Sequence, residues 1–245
     1  MHKLLMLACL AGGLFMGAVA APALAAEEEE SRLERIARTG ILVAGYRETT
    51  MPFSYLSPDE PVGFGVDLTR RIAAELGEAL GRPDLRIRWN AVTPSTRIPL
   101  ISTKTVDLLC SVDTHTRARE AQLDFSLTFY VSQFAVVVPR ELEVTSLADL
   151  AGRRVLAPAA TTNETVLRQA NAEGQLGIDV GVSLSTRSAV RQVLAGEADA
   201  VYAAAAVGAA ELLRANALDT HKVVTLGGVE EPFACMLPND DPAFK

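Results

Sequence analysis

The sequence predicts an α/β fold of mostly parallel sheets flanked by helices. Three observations point to it. Short, continuous apolar runs recur, the pattern of strands buried on both faces. Between them lie stretches whose apolar residues repeat at helical spacing. Glycine and proline mark the joins. Strand and helix alternate along the chain, as in a succession of β-α units.

In chain order, residues 31–39 predict a short helix with Leu33, Ile36 and Ala37 on one face, ended by Gly40. Ile41-Leu42-Val43-Ala44-Gly45 reads as a buried strand. The clearest helix spans 66–80, where Val66, Thr69, Ile72, Ala73, Leu76 and Leu80 share a face and Asp67 lies in the first turn. Gly81-Arg82-Pro83 stops it, residues 85–89 alternate like a strand, 95–102 read as helix and 106–110 as strand. Residues 134–138 form another buried strand ended by Pro139, and 147–150 a short helix. A new unit opens with a strand at 154–157, followed by helices at 164–173 and 188–195. Residues 198–202 read as a strand leading into a helix through Leu213, and two late strands follow at 223–226 and 233–237. Pro139-Arg140-Glu141-Leu142-Glu143 is the best interior boundary. It divides the chain into a first lobe over 26–139 and a second over 140–228, with 229–245 returning to the first.

The 245 residues suffice for one large domain or two small ones, and 49% hydrophobic with 22% charged is ordinary for a protein with a real core. A net charge of -7 without clustered Lys and Arg gives no sign of a nucleic-acid partner. The amino terminus differs from the rest. Lys3 precedes an almost wholly apolar stretch over 4–20, and Ala23-Leu24-Ala25 offers a small-x-small cleavage site before a run of glutamates. This reads as a secretory signal peptide over 1–25, the alternative being a membrane anchor. Export predicts a soluble protein outside the cytoplasm that loses Cys9 and keeps Cys110 and Cys235. An even pair in an oxidising compartment predicts a disulfide, against the alternative of two buried free thiols. Only His115 and His221 remain after export, which argues against a metal cluster or a catalytic cysteine. No metal or other cofactor is expected.

Three arginines carry the functional reading. Arg47 directly follows a buried strand, Arg97 opens Arg97-Ile98-Pro99-Leu100, and Arg119 precedes Leu123-Asp124-Phe125-Ser126. Ligands of α/β folds bind beyond the carboxyl ends of the strands. A guanidinium matches a carboxylate as a planar fork, so several converging there would select an anion.

The run Arg47-Glu48-Thr49-Thr50-Met51-Pro52-Phe53-Ser54-Tyr55 is followed by Val62-Gly63-Phe64-Gly65-Val66-Asp67-Leu68. Thr96-Arg97-Ile98-Pro99-Leu100 comes next, then Asp107-Leu108-Leu109-Cys110, Thr114, Arg119 and Asp124-Phe125-Ser126. Ala160-Thr161-Thr162-Asn163-Glu164, Ala234-Cys235-Met236-Leu237 and Asp240-Asp241-Pro242-Ala243-Phe244-Lys245 complete the set. In order and spacing these motifs resemble the glutamate/aspartate type of periplasmic solute-binding protein, within the polar amino-acid family (family 3), across nearly the whole mature chain. The resemblance implies a two-lobed fold joined by two crossing strands, closing on ligand like a hinge. It implies a receptor for an ABC importer, a small anionic ligand, inner-membrane permease subunits as partners, and a monomer. It assigns Arg119 with Thr114 to the α-carboxylate, Arg47 and Arg97 to the side-chain carboxylate, and Thr161 and Thr162 to contacts from the second lobe.

Four departures qualify the ligand. Ala203-Ala204-Ala205-Ala206 stands where relatives carry the aspartate that grips the amino group, and Thr186 replaces a histidine. Two serines align with Pro94 and Val112, with Ser95 and Ser111 adjacent as substitutes. The chain also ends before the family's C-terminal helices. The sequence therefore leaves two ligand classes open: a dicarboxylate that need not be an amino acid, or an acidic amino acid whose amine meets Glu230, Glu231 or Asp199. The runner-up functions are a dehydratase-like enzyme on the same fold and a ligand-sensing module. An enzyme needs a general acid of shifted pKa in the cleft, for which only Glu48 and Asp113 stand beside the arginines.

Overall fold

Helix α1 (Arg32–Thr39) opens the described part of the computed structural model, residues 30–239 and 241–244. The expected signal peptide and Cys9 lie outside those residues. Ser31 and Glu34 cap α1 reciprocally, the Ser31 hydroxyl accepting from the Glu34 N–H at 3.2 Å and the Glu34 carboxylate accepting from the Ser31 N–H at 2.9 Å. Gly40 ends it in the left-handed region at φ 64°.

Strand β1 (Ile41–Tyr46) follows, then a small antiparallel sheet of β2 (Thr49–Thr50), β3 (Ser54–Leu56) and β4 (Pro61–Val62). Helix α2 (Phe64–Ala79) begins against the strand region that carries Cys110. A Cβ on Gly65 would lie 2.1 Å from the Cys110 carbonyl oxygen, so only glycine permits this approach. Next come β5 (Arg86–Ala91), α3 (Arg97–Ser102), β6 (Leu108–Leu109), α4 (Arg117–Glu120) and β7 (Asp124–Phe125). The chain then runs through β8 (Tyr130–Pro139), a 3-10 turn at Leu147–Leu150, β9 (Arg154–Pro158) and α5 (Thr162–Gly174). It continues as β10 (Asp179–Ser183), α6 (Thr186–Leu194), β11 (Ala200–Ala204), α7 (Ala205–Arg214), β12 (His221–Phe233) and β13 (Met236–Leu237).

Two five-stranded sheets result, ordered β5-β1-β6-β13-β7 and β10-β9-β11-β8-β12. In each, three neighbouring strands pair in parallel and one strand runs against the rest: β13 pairs antiparallel with β6 and β7 in the first, and β8 pairs antiparallel with β11 and β12 in the second. β8 and β12 pair from Pro139–His221 at one end to Tyr130–Phe233 at the other. Beyond them Thr114 bridges Phe233, which ties this ribbon to the first sheet's loops. These are the two crossing strands.

Sheet membership corrects two expectations. The strand at 134–138, counted with the first lobe by a division after Pro139, pairs with β11 and so belongs to the second sheet. A boundary drawn at proline reads only local punctuation, whereas strand partners are chosen over long range. The late strand at 223–226 is longer than expected, β12 running through to Phe233 with a register shift between Thr225 and Glu230, and the one at 233–237 is divided between the end of β12 and β13. β10 escaped the sequence reading because Asp179-Val180-Gly181-Val182-Ser183 has no apolar run, being an edge strand with exposed positions.

Separate apolar clusters stabilise each sheet. Leu42, Leu108, Ala73 and Ile36 pack around Cys110 and Cys235 in the first, and Val136, Val138, Val155 and Leu167 fill one face of the second. Cys110 and Cys235 are bonded, closing a separation of 125 residues as the sequence predicts. No described helix is long and apolar enough to cross a membrane.

Candidate functional site

Strand ends from both sheets meet at one cavity. Arg47 follows the end of β1, Val112 lies just beyond β6, Pro158 closes β9 and Ala204 closes β11; all four line it. The starts of three helices face it too: Thr162 and Asn163 of α5 with their cap Thr161, Thr186 of α6, and Val207 of α7. Arg97, the first residue of α3, and Thr50 of β2 complete the wall. Helix starts present unpaired N–H groups and the positive end of the helix dipole. On α7 no side chain caps those groups. The cavity measures about 20 Å³, the room of a single water. A solute therefore enters only when the walls part.

The electrostatics favour an anion. Arg97 is 1% exposed, and its Nη1 stands 2.8 Å from Oδ1 of the fully buried Asp113. The pair is close but misaligned: among the described residues Arg97 Nε and Nη1 and both Asp113 oxygens have no hydrogen-bond partner. Arg47 is 5% exposed; burial, then the nearby charges of Arg97 and Arg119, pull its pKa down to about 9 against the opposing effect of Asp113. Arg119 falls to about 10 for the same reasons, burial first and Arg97 next. Both stay charged at neutral pH. Three buried or partly buried guanidinium groups thus repel one another across a small space, and an anion placed there relieves that repulsion.

Below this group lies a carboxylate. Glu231 is fully buried, and its Oε1 accepts from the hydroxyls of Thr114 and Thr162, each at 3.2 Å. Those two hydroxyls touch each other at 2.9 Å, so Thr114 of the first-lobe loops and Thr162 of α5 hold the cleft shut. Oε2 of Glu231 has no partner among the described residues. Burial raises its pKa to about 7, opposed by the hydroxyl hydrogen bonds and by Arg119. The acid form is favoured in the folded state, so ionisation costs nothing below the unfolded value of 4.5. The cost grows as pH rises and reaches about 3 kcal/mol above the folded value. Glu231→Gln keeps an acceptor for both hydroxyls, so at about pH 8 it is expected to be more stable than the parent by up to about 3 kcal/mol, with the gain vanishing near about pH 5. Urea denaturation at the two pH values checks this, and a gain that does not change with pH would contradict it.

Of the eight residues singled out by sequence, Arg47, Arg97, Thr161 and Thr162 line the cavity. Thr114 touches Thr162, and Arg119 Nη1 donates to the Thr114 carbonyl at 2.7 Å, so both stand beside it. Ser111 is buried behind the wall, 3.3 Å from the Thr50 hydroxyl. Ser95 is not brought in: it is exposed in the turn before α3, against Thr93 at 3.1 Å. The expectation for it fails because α3 starts at Arg97 and turns that side chain inward instead. Sequence reasoning missed Thr50, Asn163, Pro158 and Val207 as wall residues. Thr50 and Asn163 sat inside quoted motifs, and their polarity was the available signal. Of the three acids considered for an amine, Glu230 is exposed, and Asp199 accepts from the Arg154 N–H at 2.7 Å ahead of β11, at the end opposite Ala204. Of the three, Glu231 alone is buried against the cleft, behind the hydroxyls of Thr114 and Thr162.

Residues 42–243 match the family described as bacterial extracellular solute-binding proteins, family 3. The chain is 31% identical over 225 residues to the L-glutamate/L-aspartate-binding protein of Pseudomonas aeruginosa, covering 90% of this chain and 74% of that one. It is 30% identical over 237 residues to the glutamate/aspartate import solute-binding protein of Escherichia coli strain K12, covering 96% and 77%. Among solved structures, an ancestral amino-acid-binding protein described as a precursor of cyclohexadienyl dehydratase shares the fold with a TM-score of 0.73 at 24% identity, over 87% of this chain and 88% of that one. With the family match spanning most of the chain, and a cation-lined cleft between two sheets joined by crossing strands, the chain is a family-3 bacterial extracellular solute-binding protein.

Proposed function

We propose that the protein binds a small solute with two carboxylates, an acidic amino acid such as glutamate or aspartate or a related dicarboxylate, and delivers it to the permease of an ABC importer. One observation carries the reading: Arg97, almost completely buried in the cavity wall, keeps Nε and Nη1 without hydrogen-bond partners among the described residues, although an unsatisfied buried guanidinium is costly. A ligand carboxylate supplies the missing acceptors. Arg47 joins Arg97 on one carboxylate, Arg119 with Thr114 takes the other, and Thr161 and Thr162 close from the second lobe. Export through residues 1–25 places the protein in the periplasm, where it acts as a monomer. Two of the relatives named above are binding proteins for glutamate and aspartate, which supports binding rather than catalysis. The enzyme reading has one observation in its favour, the raised pKa of Glu231, an acid group at the cleft.

A thermal-shift panel tests the reading. Charge-assisted contacts of this kind reach micromolar affinity, about −8 kcal/mol. At a hundred times Kd, glutamate, aspartate or a dicarboxylate is expected to stabilise by about 2.7 kcal/mol and raise Tm by roughly 5–10 °C. Arginine should produce no shift, and a prephenate-like cyclic dicarboxylate should yield no product. A shift with arginine and none with any acid would overturn the anionic-solute reading; product formation would replace receptor by enzyme.

A further inference from the structure

The cleft holds a carboxylate that a receptor for simple anions does not need. Glu231 is fully buried, Thr114 and Thr162 occupy its Oε1, and Oε2 is left without a partner among the described residues. Both hydroxyls belong to the contact that shuts the cleft. When that contact parts to admit a solute, the carboxylate becomes accessible from the ligand side. A second unpartnered acceptor lies alongside: Asn163, next to Thr162 in sequence, lines the cavity and keeps its Oδ1 without a partner. None of the described residues lining the cavity is acidic. Two buried acceptors without donors, set among arginines, repel a plain dianion and suit a cation on the ligand itself.

We infer that Glu231 is the acceptor for an ammonium group of the solute, and hence that this site selects an acidic amino acid over the dicarboxylate of the same length. The inference rests on the anionic-solute reading above and narrows it. Charge counting agrees. Arg47, Arg97 and Arg119 supply three positive charges, while Asp113 and ionised Glu231 cancel two. The single excess matches the net charge of glutamate or aspartate. A dicarboxylate brings one more negative charge and fits only if Glu231 takes up a proton. The groups facing Glu231 are Arg119 from α4, Tyr202 from β11 and the hydroxyls of Thr114 and Thr162, with Arg47, Arg97 and Asp113 beyond Arg119. Of these charged groups only Arg119 favours ionised Glu231 directly, and burial outweighs it, which is why a ligand ammonium has a large effect here.

Calorimetry at about pH 8 with two matched pairs, glutamate against glutarate and aspartate against succinate, tests the inference on the unaltered protein and on Glu231→Gln. The unaltered protein is expected to bind the amino acid of at least one pair about thirtyfold or more tightly than its deaminated partner, the effect of losing one charge-assisted hydrogen bond. Glu231→Gln should lose that discrimination while still binding the dicarboxylate. Equal binding within both pairs by the unaltered protein overturns the role of Glu231 and leaves the anionic-solute reading standing. Retained discrimination in a folded Glu231→Gln variant overturns it as well. Absence of binding by all four solutes overturns the anionic-solute reading itself, and this inference with it. If the variant does not fold, the paired titrations of the unaltered protein decide.

Discussion

Arg97→Met is expected to abolish solute binding and to destabilise the folded protein by about 3–5 kcal/mol, the usual consequence of leaving one member of a buried ion pair alone. Asp113 is fully buried with neither oxygen hydrogen-bonded, so its compensation comes from the neighbouring guanidinium 2.8 Å away. Removing that guanidinium leaves a bare carboxylate in a dry site. Arg97→Met combined with Asp113→Asn removes both charges and should recover most of the lost stability. It should not recover binding, because the ligand's carboxylate still lacks its fork of donors. Denaturant unfolding and titration with glutamate or a dicarboxylate separate the two effects. Full binding by the stable double variant would show that Arg97 serves Asp113 and not the ligand.

The second large effect concerns the return of the chain to the first sheet. β13 is only two residues long and joins β6 through a single aligned pair, Met236 with Leu109. The Cys110–Cys235 bond spans 125 residues at this junction, and both cysteines lie in the apolar cluster of Leu108 and Leu237. On the chain-entropy account such a loop is worth roughly 4–5 kcal/mol. Cys110→Ala with Cys235→Ala, which avoids burying new hydroxyls, is expected to lower unfolding free energy by about that much, measured in urea against the oxidised parent. A loss under about 1 kcal/mol would mean that the unfolded chain is little constrained by the bond. Glu231 lies four positions before Cys235, so a loosened return should also weaken solute binding.

Much of this was legible locally. The apolar run 41–45 announces β1, and the arginine after it must leave the strand at its carboxyl end, where α/β folds bind ligands. Thr161 precedes a helical stretch that opens at Thr162 and caps it, a short-range geometry readable from residue type. Sheet membership was less legible. The strand at 134–138 reads equally well in either lobe, since burial on both faces erases the alternation that would show which neighbours it has.

By itself the sequence determined the α/β architecture, the disulfide partners and the arginine beyond the end of β1, because these depend on short spacing, helical period and residue chemistry. Tertiary structure alone decided which of two adjacent carboxylates enters the cleft. Glu230 pairs with Gln133 and is exposed, whereas Glu231 pairs with Ser132 and is fully buried. Successive residues of a strand point to opposite faces, so the register of β12 against β8 makes the choice. That register is set by contacts roughly a hundred residues apart in the chain, and no local pattern around Gly227-Gly228-Val229 encodes it.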